Sequence, residues 1–331
     1  MGCKVSIATD GPQLSLLQHE FPQLDFLVLK GYNVVYATNK RFLPVKILQQ
    51  APKILKKIRA EHAWLQRIIL EKGIDLVISD NRFGLYTRLA PCIFITHQLQ
   101  IQAPYRWLQN IIQKINYKYI NRFTECWVSD REEQENIAGN LSHPRRLPAI
   151  PVRYLGILSR FDSTVAENQK YDWLIALSGP EPQRTLLEEK VLAAAAAFAN
   201  QALLVRGKPG ETGILPKAEG ITIVNHLAGR DMERAFRQAK FIICRSGYTT
   251  IMELVSLQKK AMLIPTPGQT EQEYLAKRLM EQGWFFSCNQ HDDLLQKIKD
   301  AQSFNYTLPE LPKNRLEEIL KNFLEKHTTP G

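Results

Sequence analysis

The thirteen residues Phe241-Ile-Ile-Cys-Arg-Ser-Gly-Tyr-Thr-Thr-Ile-Met-Glu253 carry the strongest chemical signal in the chain. An apolar run ends, Ser246-Gly247 marks a turn, and a helix opens near Thr249. The N–H groups of a first helical turn, together with the helix dipole, hold a diphosphate well. Glycine at the turn lets the backbone approach such a ligand closely. Glu253 follows about one turn into the helix, where a carboxylate can accept both hydroxyls of a ribose. The same residues also make an ordinary strand–turn–helix, with Ser246 in the cap and Glu253 complementing the dipole. Taken alone, the segment leaves both readings open.

Past the next strand comes Pro265-Thr-Pro-Gly-Gln-Thr-Glu-Gln-Glu-Tyr274, again a loop entering a helix. Gln269, Glu271 and Gln272 supply donors and acceptors suited to sugar hydroxyls. The pairing of these two segments resembles the family 28 glycosyltransferases, above all the MurG type, which adds N-acetylglucosamine to a lipid-linked cell-wall precursor. Those proteins carry a similar Arg-Ser-Gly segment with Glu further along the helix, then a Pro-rich loop and a Gln-containing helix start. The resemblance covers residues 155–285 and extends to the first half only in layout.

Carried over by position, the resemblance implies that Ser246, Gly247 and Tyr248 line the diphosphate beside Thr249, that Glu253 binds the ribose, and that Gln272 contacts the sugar ring. A second glutamine of the family is Glu273 here, and a loop histidine is Gly268; both departures leave the sugar open. Arg160, four residues after Gly156, matches a linker arginine facing the phosphates, although by itself it reads equally as a surface charge. Ser178-Gly179-Pro180, followed by Gln183 and Arg184, corresponds to the family's first Gly-rich turn. Val224-Asn225-His226-Leu227 ends a strand where the family grips the uracil through backbone groups; His226 also suits an ordinary loop histidine. The resemblance implies neither metal nor cofactor, the helix N-terminus and Arg160 neutralising the leaving UDP instead. His291-Asp292-Asp293 is the nearest approach to a metal-holding Asp-x-Asp, and it reads as a helix cap.

Acceptor-side chemistry has two candidates. Asp80 follows the apolar run Leu76–Ser79 and His97 follows Cys92–Thr96, so both project from strand C-termini. Either can serve as the base that takes the acceptor hydroxyl proton, or as a plain loop-end residue. The stretch Leu108–Arg122 carries Leu108, Ile111, Ile112, Ile115 and Tyr119 at helical spacing, with Trp107, Lys114 and Lys118 nearby. Core packing is the first reading of that stripe, and membrane contact the second.

The elements that must position these residues alternate strand and helix. Strands are expected at Val5–Thr9, Asp25–Leu29, Leu76–Ser79, Cys92–Thr96 and Glu125–Val128, with helices at Pro52–Lys72 and Leu108–Arg122. The second half repeats the pattern, with strands at Trp173–Leu177, Ala202–Val205, Ile221–Val224, Phe241–Cys244, Ala261–Ile264 and Trp284–Ser287. Its helices are expected at Gln183–Asn200, Arg230–Ala239, Thr249–Leu257, Thr270–Gln282 and Asp292–Gln302. Continuous apolar strands joined through helices mean parallel sheets covered on both faces. The fold class is therefore α/β, two Rossmann-like doubly wound domains facing a cleft, the GT-B architecture of the family. The expected domains are 1–155 on the acceptor side, 156–312 for the donor, and 313–331 as a C-terminal helix and tail, with the linker in Pro151–Asp172. Such domains open with a strand and a Gly-rich turn, and Gly2-Cys3-Lys4 resembles instead the end of a first helix. The resemblance thus implies a first domain lacking that strand and its turn, with a slot beside Val5–Thr9 and poor transfer as the consequence.

Composition sets the bounds. The chain has 331 residues and a formal net charge of +10. Residues 1–155 hold 21 Lys and Arg against 12 Asp and Glu, whereas residues 156–331 hold 22 against 21. Lys40 to Arg59 has seven bases (Lys40, Arg41, Lys46, Lys53, Lys56, Lys57, Arg59) and no acid. An anionic partner on the first half is one reading, membrane headgroups or a phosphorylated acceptor; a solvated basic helix face is the other. No nucleic-acid recognition motif accompanies the charge. The five cysteines form no C-x-x-C pair, and no apolar run reaches the ~20 residues that span a bilayer. Met1-Gly2-Cys3-Lys4-Val5-Ser6 fits an acylation pattern, but Val5–Thr9 reads as the start of a buried strand. The expectation is a cytoplasmic enzyme, peripheral at the inner face of the membrane. It would be an inverting, metal-independent transferase moving a hexose, N-acetylglucosamine first, from a UDP-sugar to a lipid-linked or polysaccharide acceptor. The rivals are a UDP-N-acetylglucosamine epimerase of the same architecture and a non-catalytic nucleotide-sugar binding protein.

Overall fold

The computed structural model describes residues 2–31, 43–103, 105–133, 135–161, 167–198, 201–310, 312 and 314–327, with the side chains of all but 12 and 43–49. Lys40 and Arg41, the side chain of Lys46, and Asn200 lie outside the described residues. The chain divides into two compact units, Met1–Gly156 with Lys313–Gly331, and Ile157–Pro312.

The first unit runs β1 (Ser6–Thr9), α1 (Gly11–Glu20), β2 (Asp25–Val28), α2 (Leu43–Lys72), β3 (Val77–Asp80), β4 (Cys92–Thr96), α3 (Arg106–Ile120), β5 (Glu125–Val128) and β6 (Val152–Tyr154). Its strands form two parallel sheets, β1-β2 and β3-β4-β5-β6. Among the described residues no strand pairs with the second edge of β1 or the outer edge of β3. β1 is not the buried strand expected: Val5 is 51% exposed and Ser6 is exposed. The core joins Leu65 and Ile69 of α2 to Leu29, Val77, Phe94, Ile120, Phe123 and Val128. Two further expectations need correction. Val152–Tyr154 is no linker but an edge strand, paired to β5 through Cys126–Val152 and Val128–Tyr154. A three-residue strand buried on one side carries too little apolar sequence to stand out. In addition, α2 begins nine residues before Pro52 and continues through it, although proline favours a first turn.

The second unit runs β7 (Tyr171–Ala176), α4 (Gln183–Ala193), β8 (Ala202–Val205), β9 (Ile221–Val224), α5 (Gly229–Gln238), β10 (Ala239–Cys244), α6 (Tyr248–Ser256), β11 (Lys260–Leu263), α7 (Thr270–Glu281), β12 (Phe286–Ser287) and α8 (Leu294–Ser303). Its six parallel strands lie in the order β12-β11-β10-β7-β8-β9. Counted within the unit, that is the doubly wound Rossmann order, with the direction of winding reversing between β7 and β10. Leu174, Ile242, Ala261 and Leu204 are fully shielded or nearly so, because helices cover both faces; this is why these strands read as unbroken apolar runs. Asp293 caps α8, its carboxylate accepting from Leu295 N at 3.0 Å. A last helix, α9 (Leu316–His327), returns to the first unit, where Phe323 meets Trp127 edge-on at 5.7 Å.

Candidate active site

In a doubly wound sheet, ligands bind beyond the strand C-termini at the point where the strand order reverses. Here that point lies between β7, which runs into Ser178-Gly179, and β10, which runs into Arg245-Ser246-Gly247; β11, next along, feeds the loop Pro265–Gln269. Three segments far apart in the sequence thus meet at one sheet edge.

Hydrogen bonds tie them together. Ser246, fully buried, donates its hydroxyl to the Gln272 carbonyl at 2.8 Å. It is therefore not the cap of α6; Gly247 holds that position and offers no side chain to its N–H groups. Gly247 has φ −72°, and an added Cβ there would meet nothing within 4 Å. Neither conformation nor packing demands glycine at this position, and the backbone face there is open. Tyr248 is buried and Thr249 exposed on the first turn. Gly179 has φ +101°, a region that favours glycine, and a Cβ there would stand 3.3 Å from Thr266 Oγ1.

The sugar-side candidates brace their own loop. Gln272 Oε1 accepts from Thr266 N at 2.9 Å and its Nε2 donates to Gln269 Oε1 at 2.6 Å. Glu273 accepts from Gly268 N at 3.1 Å, so its carboxylate serves the loop backbone. Gly268 has φ +85°, where a histidine would be strained. Glu271 is half-buried on the first turn of α7. Gln183 accepts from Gln290 Nε2 at 2.8 Å, placing its amide in the scaffold beneath Ser178-Gly179. His226 is exposed and Leu227 half-buried between β9 and α5, at an outer strand separated from β7 by β8.

Glu253 and Arg160, 93 residues apart, form an ion pair: Arg160 Nε donates to Glu253 Oε1 at 2.9 Å. Glu253 is buried while Arg160 is half exposed. Burial pushes the Glu253 carboxyl above the usual carboxylate range, Arg160 pulls it down, and Glu233 adds a smaller upward push. The guanidinium leans over Phe161 at 5.1 Å.

In the first unit, Asp80 ends β3, with Ile95 of β4 as its register partner; His97 follows two residues later. The structure therefore brings the two acceptor-side candidates to the C-terminal ends of adjacent strands. Asp80 opens to solvent, yet the protein around it desolvates the carboxyl and pushes it above the ordinary range, while the charge of His97 pulls it down. Asn81, just after it, has φ +52° and donates its N–H to Ile95 O at 3.1 Å, fixing the end of the strand. The α3 stripe divides between two faces: Leu108, Asn116 and Ile120 are buried, whereas Trp107, Ile111 and Ile115 are 58%, 49% and 50% exposed.

Two residues of the donor edge escaped the sequence reading. Arg245 is 2% exposed and binds the loops that follow three strands. Thr266 is 1% exposed, and its hydroxyl has no hydrogen-bond partner among the described residues. Each stands just past the end of an apolar strand, within a segment that the sequence had already singled out.

Residues 185–326 match the glycosyltransferase family 28 C-terminal domain. The UDP-N-acetylglucosamine–N-acetylmuramyl-(pentapeptide) pyrophosphoryl-undecaprenol N-acetylglucosamine transferase of Haemophilus ducreyi is 22% identical over 291 residues, 83% of this chain and 74% of that protein. Among solved structures, the spinosyn rhamnosyltransferase SpnG aligns with a TM-score of 0.62 at 14% identity, over 91% of this chain and 84% of its own. The MurG of Acinetobacter baumannii aligns with a TM-score of 0.50 at 15% identity, over 92% and 83%. At such identities the structural likeness shows the fold alone.

Proposed function

We propose, given that the chain belongs to the family 28, MurG-type glycosyltransferases of the GT-B fold, that it transfers a hexose, N-acetylglucosamine first among them, from a UDP-sugar to a lipid-linked or polysaccharide acceptor. The observation that carries this reading is the meeting of Ser178-Gly179, Ser246-Gly247 and Thr266 at the switch point of the second unit, with Glu253 one and a half turns beyond. The diphosphate lies on the first turn of α6, where Gly247 leaves the backbone approachable. Glu253 accepts the ribose hydroxyls, and Gln269, Glu271 and Gln272 face the sugar. The loop of His226 and Leu227 receives the base.

The acceptor oxygen attacks the anomeric carbon from the side opposite UDP, and the bond from that carbon to the phosphate oxygen breaks. The configuration inverts, and negative charge grows on the diphosphate as it leaves. Arg160 holds Glu253 through Nε, and its terminal nitrogens have no protein partner among the described residues. They are placed to meet that growing charge together with the helix N-terminus. Arg160→Ala will therefore lower kcat more than it raises the donor KM. Steady-state kinetics with varied donor will check this; full turnover in the mutant counts against it.

The test of the function is a panel of UDP-sugars read by thermal shift, followed by product analysis. Stabilisation by one UDP-sugar and appearance of its sugar on an added acceptor support transfer. Free UDP with an altered sugar and no acceptor product assigns an epimerase, and binding without turnover a carrier.

The acceptor side of this reading includes an anionic membrane surface met by α3. That helix carries Arg106, Lys114 and Lys118 and no acid, and Trp107, Ile111 and Ile115 stand outward one turn apart. Among the described residues no helix is long and apolar enough to cross a membrane. Binding to vesicles containing anionic lipid should fall steeply with salt, each Lys or Arg at the surface contributing ~1 kcal/mol. Trp107→Ala with Ile111→Ser should abolish binding at moderate salt. Binding to neutral vesicles alone, or none at low salt, ends the idea.

A further inference from the structure

Arg245 is among the largest fully buried side chains of the protein. It stands at the end of β10, immediately before Ser246. Its guanidinium makes five hydrogen bonds, and all five acceptors are neutral oxygens. Nε donates to Ser178 O at 3.4 Å, Nη1 to Ile264 O at 3.2 Å and Pro265 O at 3.3 Å, and Nη2 to Gln183 O at 2.8 Å and Gln290 Oε1 at 2.6 Å. Among the described residues no carboxylate touches it. Removing a cation from water is costly, and buried cations are ordinarily matched by an anion. Here dipoles alone solvate the charge, and they belong to the turns after β7 and β11 and to the loop after β12. Burial lowers the guanidinium pKa to about 10, which still leaves it charged at neutral pH.

We propose that Arg245 is a positioning residue with a second role: its unmatched buried charge supplies part of the attraction that holds a diphosphate at Ser246-Gly247. The inference rests on the donor-site reading above and deepens it. The positioning part follows from the carbonyls: one planar group fixes Ser178, Gln183, Ile264 and Pro265 against each other. The charge part follows from the missing counter-ion. In a low-dielectric interior an unneutralised cation acts on a nearby anion far more strongly than an exposed one does. An anion arriving from solvent is then the counter-charge that the fold itself does not provide.

The two parts separate in Gln290→Glu. Gln290 is buried, and its Oε1 already sits on the guanidinium; glutamate keeps the shape and that contact while adding a negative charge. Gln183, which now accepts from Gln290 Nε2, can turn its amide to donate instead. The scaffold stays and the net charge beneath the turn is cancelled. Calorimetry with UDP and with uridine on the full chain gives the readout, since the two differ only in the diphosphate. Gln290→Glu should lower UDP affinity by about tenfold or more and leave uridine affinity within about twofold. Arg245→Lys should retain most of the UDP-over-uridine preference, because it keeps the charge. Loss of UDP and uridine binding by the same factor in Gln290→Glu reduces Arg245 to a structural brace and overturns the charge role. An unchanged UDP affinity overturns it equally. A wild-type chain that binds UDP no better than uridine removes the donor-site reading itself, and this inference with it.

Discussion

Replacing Glu253 with alanine will weaken UDP binding by about 1.5–3 kcal/mol, the range for hydrogen bonds to a charged group. The carboxylate is buried on the second turn of α6, and among the described residues its one hydrogen bond is to Arg160. On the proposed reading its partner is a ribose with two adjacent hydroxyls, and alanine leaves both of them unmatched. The pH dependence adds a second check. Only the ionised carboxylate accepts from both hydroxyls, so affinity falls as pH drops through the Glu253 pKa. Burial has raised that pKa, so the loss begins above the pH at which an ordinary glutamate protonates. Arg160 pulls in the opposite direction, so Arg160→Ala moves the midpoint higher still. Calorimetry with UDP across pH for the three proteins checks all of this. Unchanged UDP affinity in Glu253→Ala sinks the assignment.

The strands of both units were readable in the sequence, and what was missed has a physical cause. Leu174, Ile242 and Leu204 are shielded on both faces of a parallel sheet, so their strands show as apolar runs with ends correct to within two residues. The strand–turn–helix at Phe241–Glu253 was legible for the same reason, since glycine and serine interrupt an otherwise apolar stretch. In the first unit, Val28 is 63% exposed and Ile78 is 48% exposed, and β6 is a short edge strand. The strands β1 to β5 were legible there to within one residue even so, whereas β6, three residues at a sheet edge, carries too little apolar sequence to betray itself.

The site was legible only as separate pieces. Nothing local to Arg160 announces Glu253, and nothing local to Gln183 announces Gln290, because these contacts are set by sheet order. Arg245 shows the same limit more sharply. An arginine within a polar turn reads as solvated, and only the fold places it under three loops. The stripe Leu108, Ile111, Ile112, Ile115 and Tyr119 read as one face, whereas the structure buries Leu108 and exposes Ile111 and Ile115. Helical periodicity reports that a side is apolar, not how much of that side is covered.

The acceptor end carries the last large effect. Asp80→Asn will lower kcat by about 10²–10⁴-fold, the usual contribution of a positioned general base. Asp80 suits that role better than an ordinary carboxylate, because desolvation raises its proton affinity. The base form is the ionised one, so kcat/KM should rise with pH through an inflection above the usual aspartate range. His97 stabilises that ionised form; His97→Gln should therefore move the inflection upward while retaining part of the rate. Stability must respond with the opposite sign. The folded carboxyl binds its proton more tightly than the unfolded one, so ionising it costs folding free energy as pH rises through the two pKa values. Asp80→Asn removes that cost, and its Tm should exceed that of the wild type at neutral pH, with no gain in acid below the unfolded pKa. A catalytic base bought with local instability shows both effects, lost rate and gained Tm. A variant that keeps more than about a tenth of the wild-type rate, or loses Tm at neutral pH, assigns Asp80 to holding the end of β3, and the base must then be sought at His97.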